Sequence, residues 1–446
     1  MILIGNGRLI TQNPEQPYID DGAVAVDGNQ IAAFGPTDAL RKQYPGADFV
    51  DAKHRVIMPG LINAHTHIYS SFARGLSLPQ AEPNRDFMDI LENMWWRIDK
   101  ILDLEDCRYS AYATGLESIR NGVTTIFDHH ASQGHVQNSL FTIAEALKDI
   151  GLRASLCYEV SDRDGEAVAD AAIRENVAFI DHADADASDM QKGMLGLHAS
   201  FTLGADTLKK CVAAMGSRDA GYHVHTAEGI ADLHDSLKKY GKRVVERLHD
   251  AGILGQKTLS IHNIHINAAE MDLLKATDTM AVHNPESNMG NAVGCAAALH
   301  MMEKGIPLGL GTDAYTQDML ESLKVANLVH RHHQCNPSIG FMESMAMLFT
   351  NNAAICSRFF KRPLGIIASG AYADIILVDY TPHTPLNANT IAGHVMFGMS
   401  GRAVDSVMIN GRFVMRERAM QLVDEQEILA KSREQSSDFW KRVCTK

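Results

Sequence analysis

The chain has 446 residues, 46% of them hydrophobic and 21% charged, and it carries a formal net charge of −13. That length exceeds one small core and calls for a large barrel or two domains. The acidic balance excludes a surface built to neutralise nucleic-acid phosphates, and no apolar run reaches the roughly 18 residues that cross a bilayer.

The opening "MILIGNGRLITQNP" has no basic region, long apolar segment or small-residue cleavage site, so no signal peptide is expected. Seven cysteines (Cys107, Cys157, Cys211, Cys295, Cys335, Cys356 and Cys444) are scattered without a C-x-x-C pair. This argues against a disulfide framework and a cysteine zinc site, and it fits a reducing cytoplasm.

Residues 1–57 read as short strands, "MILIGNGRLI", "AVAVDGNQIAAFG" and "FVDAKHRVIM", mixing β-branched residues with Gly-Asn and Asp-Gly turns. Pro59-Gly60 is the expected joint into a different middle region. There, eight strand candidates recur, at 61–67, 122–130, 153–160, 193–201, 221–228, 258–265, 279–287 and 307–314. Helical patterns such as "YSAYATGLESIRNG", "SLFTIAEALKDIG" and "ADTLKKCVAAMGS" separate them. Strands buried on both faces and linked by helices imply a parallel sheet, and eight such units closing on themselves make a (β/α)8 TIM-like barrel. An open doubly wound sheet is the alternative, but no Gly-x-Gly-x-x-Gly turn follows a strand. The N-terminal style returns at 372–380 and 404–415, the second with a hairpin turn around Asn410-Gly411. The expected architecture is α/β. A catalytic barrel spans 58–364, a small β-sandwich domain is composed of 1–57 and 365–420, and a C-terminal helix covers 421–446.

The sequence holds 21 histidines, and six of the eight strands carry one at or near the C-terminal end, the face on which barrels build active sites. In a strand, residues i and i+2 share a face, so His65 and His67 point the same way. Spacing alone leaves two equal alternatives, a rigid metal-binding pair or two buried, hydrogen-bonded histidines. Context favours the first. His225 ends the fifth strand with Glu228 three residues on, His262 ends the sixth, and Asp313 ends the eighth. Two imidazoles from the first strand, one from the fifth and a carboxylate from the eighth would make a catalytic metal site with a position left for water. The bland alternatives are an exposed loop carboxylate for Glu228 and a helix N-cap for Asp313.

With these residues in place, the chain resembles the amidohydrolase superfamily. The motifs P-G-L-I-N-A-H-T-H, H-T-A-E, I-H-N, H-N-P-E-S-N and G-T-D-A occur in that order, and G-A-Y-A-D-I-I-L-V-D (370–379) matches the return to the small β domain. The resemblance implies His65, His67, His225 and Asp313 as metal ligands, Glu228 as proton shuttle and His262 as the group polarising the substrate. It points to the aminohydrolase and chlorohydrolase branch, which includes guanine deaminase, adenosine-type deaminases and triazine hydrolases. "NMWWRIDK", "FDHHAS", "HNPESNM" and "NTIAGHVMFGM" are similar to the aminohydrolase group called SsnA, associated with bacterial purine breakdown. Binuclear members bridge two ions with a carboxylated Lys at the end of strand four. Here that strand ends in His198-Ala199-Ser200-Phe201, and Lys192 lies at its wrong end, so one divalent ion is expected, Zn²⁺ or Fe²⁺.

The implied activity is hydrolysis of an exocyclic C–N bond on a purine-like heterocycle, with release of ammonia, by a homo-oligomer. Ring opening of a cyclic amide and dechlorination of a triazine are rivals, and a non-enzymatic scaffold would have lost ligands that are all present. Substrate contacts are expected from Asp128 and His130, or His129 alone, since alternation allows either face of the second strand, and from Glu159 and His198. Asp162 and Arg163 are placed to read a polar ring. His223 is expected to pack one layer below His225, Asn284 and Asn288 to brace their loop, Trp95 and Trp96 to be core or pocket wall, and "HRHH" (330–333) to be solvated.

Overall fold

A computed structural model of the chain describes residues 1–78 and 83–445. Eight strands carry the middle region: β1 (Leu61–Thr66), β2 (Val123–His130), β3 (Arg153–Tyr158), β4 (Leu195–Ala199), β5 (Tyr222–Thr226), β6 (Leu259–His262), β7 (Met280–His283) and β8 (Leu308–Leu310). All are buried along their whole length, as expected of parallel strands covered on both faces. β1, β2, β3 and the short strand Gln191–Gly193 form one parallel sheet in that order, and β4 to β8 form a second parallel sheet in chain order. Two isolated parallel bridges link the sheets, Val160 with Leu197 and Thr66 with Asp313.

Helices fill the connections. Leu104–Arg120 starts at a capping box between Asp103 and Asp106, and Ser139–Ile150 stops at Gly151, whose φ of 77° suits a residue without Cβ. Their apolar faces join the strands in one large core that includes Leu116, Ile119, Ile143, Leu147, Ile126 and Leu156.

Strands from both ends of the chain form one nine-stranded sheet. A sandwich of two sheets was expected; here pairing is continuous. Val56–Pro59 pairs in parallel with Ile2–Ile10 on one side and antiparallel with Ile375–Val378 on the other, tying the two termini edge to edge. The Asn410-Gly411 turn joins Val404–Ile409 to Arg412–Arg416, with φ of 52° and 76° at its centre, the left-handed pair that a tight hairpin needs. Only Gly60 separates this sheet from β1, and a Cβ there would meet Thr124 Oγ1 at 2.2 Å. The joint therefore packs as closely as backbone allows, and the histidines of β1 follow directly from it.

The last helix, Glu425–Thr445, buries Phe439 and Val443 against Tyr69, Phe72 and Ile98. Trp440 Nε1 donates to Phe72 O at 2.6 Å. The helix thus holds the turn Ile68–Ala73 that follows His67. Among the described residues no helix is long and apolar enough to cross a membrane, and all seven cysteines are free thiols.

Candidate active site and metal centre

The C-terminal ends of β1, β5, β6 and β8 bring His65, His67, His225, His262 and Asp313 together. Three imidazoles have their Nδ1 already engaged. His65 Nδ1 lies 2.8 Å from His223 Nε2, His67 Nδ1 donates to His129 O at 2.6 Å, and His225 Nδ1 donates to His198 O at 3.0 Å. What remains on each ring is Nε2. Those of His67 and His225 are 3.3 Å apart, and His67 Nε2 is 3.3 Å from Asp313 Oδ1. His65 Nε2 is buried and has no hydrogen-bond partner.

Among the described residues four overlapping triads have donor atoms within 4.8 Å of one another: His65 with His67 and Asp313, His65 with His225 and His262, His129 with Glu159 and His225, and Glu228 with His262 and Asp313. Burial, and after it the neighbouring imidazoles, holds His65 and His225 well below the ordinary histidine range. They are therefore neutral, the form that ligates. Converging Nε2 atoms, one of them orphaned, beside one carboxylate make a donor set that fits a divalent metal ion.

Asp313 stands just past β8 with φ of 56°, and His262 ends β6 with φ of 69°, both left-handed positions for residues bearing a side chain. Neighbours hold them there. Asp313 N donates to His65 O at 2.9 Å, Ser287 Oγ donates to Asp313 Oδ2 at 2.6 Å, and His262 Nδ1 is 2.8 Å from Asn288 Oδ1. Gly311, two residues earlier, has no room for a side chain, since a Cβ would lie 2.5 Å from Asn284 Oδ1 and 2.9 Å from His65 Cβ. Glu228 Oε2 and Asp313 Oδ2 flank His262 Nε2 at 3.4 and 3.5 Å. Burial, then the charge of Asp313, pushes the Glu228 carboxyl well above its usual range.

A cavity of about 480 Å³ opens beside these groups. His67, His225, Glu228 and Asp313 form one end, and Tyr69, Phe87, Trp95 and Trp96 supply aromatic walls. Asp99, Glu159 and His198 also line it. Arg163 Nη2 donates to Asp99 Oδ2 at 2.5 Å and to Glu159 Oε1 at 3.0 Å, with its guanidinium 5.0 Å from the centre of the Trp96 ring. Burial raises the two carboxyls to about 6 and about 7 despite that arginine.

Of the expected substrate contacts, Glu159 and His198 face this cavity, whereas Asp128 and His130 do not. Asp128 Oδ1 accepts from Ile68 N at 2.7 Å, and His130 Nε2 pairs with Ser132 Oγ at 2.9 Å beside Cys107. The other face of β2 looks inward. His129 packs 4.5 Å from the His225 ring, with Nε2 3.2 Å from both Leu197 O and His223 O. Asp162 caps a loop, accepting from Gly204 N and Thr207 Oγ1. His330 was expected in solvent but is buried, its ring tilted against that of His283 at 5.0 Å. It lies on the inner face of its helix Met319–Gln334, while His332 and His333 are exposed. Lys192 pairs with Asp189 at 2.7 Å, far from the histidines in its strand register. Sequence reasoning passed over Asp99 and Tyr69. Asp99 sits three residues beyond Trp96 in a helical stretch, a spacing that would have paired them on one face.

With the family and relatives it matches, the chain is a metal-dependent hydrolase acting on carbon–nitrogen bonds. The amidohydrolase family matches residues 56–414, and a bacterial imidazolonepropionase-like composite domain matches residues 22–47. The chain belongs to the amidohydrolase family. It is 30% identical over 443 residues to a 5-methylthioadenosine/S-adenosylhomocysteine deaminase of Syntrophomonas wolfei, covering 97% of this chain and 98% of that one. It is 28% identical to a 5′-deoxyadenosine deaminase of Methanosarcina mazei, over 99% of both chains. Among solved structures, an adenosine deaminase from Xanthomonas campestris with bound zinc superposes with a TM-score of 0.87 at 22% identity, over 99% of this chain and 98% of that one, a likeness of fold.

Proposed function

We propose that the chain is an aminohydrolase that replaces the exocyclic amino group of a purine-like heterocycle with oxygen and releases ammonia. The observation that carries this reading is His67 Nε2, 3.3 Å from both His225 Nε2 and Asp313 Oδ1 and grouped with His65, beside Glu228 and opening on an aromatic cavity. In this reading His65, His67, His225 and Asp313 hold one divalent ion, zinc in the first instance and iron as the alternative. The eight parallel strands act as a closed (β/α)8 barrel over residues 58–364, which the bridges Val160–Leu197 and Thr66–Asp313 support. The N-terminal and C-terminal strands form its companion β domain.

A divalent ion bound there supplies a Lewis acid that makes water acidic near neutral pH. Asp313 accepts the proton of the attacking water as its oxygen bonds to the ring carbon. Glu228 gives its proton to the adjacent ring nitrogen, and His262, between the two carboxylates, stabilises charge at the attacked centre. The C–N bond then breaks, the proton held on Asp313 leaves with the amine as ammonia, and the new hydroxyl proton returns to Glu228 as the carbonyl forms. Tyr69, Trp95 and Trp96 stack on the planar ring, and Glu159 and His198 hydrogen-bond its edge.

The proton taken up by Asp313 can leave with an amine, as deamination requires. The names of the relatives, deaminases of adenosine derivatives, point the same way. The test is an ammonia-release screen over aminopurines, adenosine derivatives and aminopyrimidines with ultraviolet spectra recorded alongside. Ammonia with the ring chromophore retained is expected. Loss of the ring chromophore would mean ring opening, and chloride release from triazines without deamination would overturn the reading.

A further inference from the structure

His65 is a metal ligand in the site just proposed, and the role of the histidine behind it rests on that reading. His67 and His225 turn Nδ1 toward backbone carbonyls, which can only accept, so the backbone dictates their tautomers. His65 is different. Its Nδ1 faces another imidazole, His223 Nε2, at 2.8 Å, and both rings are buried. A neutral imidazole has one N–H and one lone pair, so a single proton lies between the rings and either could own it.

Ownership decides whether His65 can ligate. With the proton on His223 Nε2, His65 Nδ1 must accept, and the proton of His65 then sits on Nε2, aimed at the ligand cluster. With the proton on His65 Nδ1, the Nε2 lone pair is free. That Nε2 has no partner among the protein's hydrogen bonds, and His65 groups with His67 and Asp313 as possible metal ligands. The second arrangement leaves His223 with its own N–H on Nδ1, a buried atom that also has no partner. An unpaired buried donor is destabilising, and an apolar residue on β5 would avoid it.

We propose that His223 is the positioning residue for His65. Accepting through Nε2, it holds His65 in the Nδ1–H tautomer and so presents Nε2 as a metal ligand.

The test compares His223→Met, which keeps the bulk without an acceptor, with His223→Gln, whose Oε1 reaches the place of Nε2. Each is loaded with Co²⁺, and release to a chelator is followed by the cobalt absorption. His223→Met is expected to release metal about 10–100-fold faster than wild type, the effect of losing a partner of a metal-ligating histidine. His223→Gln should stay close to wild type. Release from His223→Met at the wild-type rate would overturn the inference while leaving the metal site standing. A wild-type chain that takes up no divalent ion would overturn the site reading itself, and the inference with it. Should His223→Met not fold, the tautomer is read in wild-type protein with ¹⁵N-labelled histidine. In the zinc-loaded form, coupling across the hydrogen bond should show the proton on His65 Nδ1, and a proton on His223 Nε2 would overturn the proposal.

Discussion

Thr66 and Asp313 form a parallel bridge across 247 residues of sequence, and Thr66 Oγ1 donates to Asp313 O at 3.1 Å. This contact joins the first strand to the last. It sets the Asp313 carboxylate against His67 at 3.3 Å.

Asp313→Ala and His65→Ala should therefore abolish turnover, because each removes a group from the cluster proposed to hold the metal ion. Metal analysis of purified wild-type protein should find about one divalent ion per chain. Prolonged chelation should remove activity and lower the melting temperature, and adding metal back should restore both. Near-normal rates in either variant would remove that residue from the site.

Glu228 stands 3.4 Å from His262 Nε2 and is proposed as a proton donor, not a ligand. Glu228→Gln should bind metal as wild type does and lose about 10²–10⁴-fold in kcat, the usual worth of a positioned general acid. Metal content and rate measured on one preparation separate the roles. Loss of metal would make Glu228 a ligand.

Asp128 gives a pH prediction away from the cavity. Burial raises its carboxyl to about 8 from an ordinary value of 3.8. A carboxyl whose folded pKa is raised contributes stability that is fully present below the unfolded value and lost as pH rises through the folded value. Asp128→Asn imitates the protonated form and can still accept from Ile68 N. Its stability relative to wild type should rise steadily between about pH 4 and pH 8 in urea unfolding, with activity retained. A flat difference across that range, or loss of substrate binding, would contradict this assignment.

Arg153 and Asp374 are fully buried where β3 meets the terminal sheet, paired through two hydrogen bonds of 3.2 and 3.1 Å. Asp374 also accepts from Asn410 N at 2.8 Å, next to the hairpin turn. Asp374→Ala leaves a buried guanidinium without its partner and should destabilise the chain by about 3–5 kcal/mol. A change under about 1 kcal/mol in denaturant unfolding would show that water replaces the pair.

Local rules carried much of the fold and of the site. Strand positions, the Asn410-Gly411 turn and the His65-x-His67 spacing depend on neighbouring residues, so they are legible in a linear chain. The failures have one physical form. Alternation along Val123–His130 defines two faces without saying which is inward. That choice is made by the register with β1 and β3, where Asp128 lies opposite Thr66 and His129 opposite Cys157. The inward face is consequently that of His129. The same holds for His330, whose helix face is chosen by packing on His283.

The sequence by itself determined the kind of chemistry, because ligand types and their short spacings set what each strand end can offer. Tertiary structure alone decided which of those offers meet. Arg163 reaches across to Asp99, and His223 faces His65 from a strand 158 residues away. Such encounters depend on the twist and stagger accumulated over several strands, and no local pattern encodes that sum.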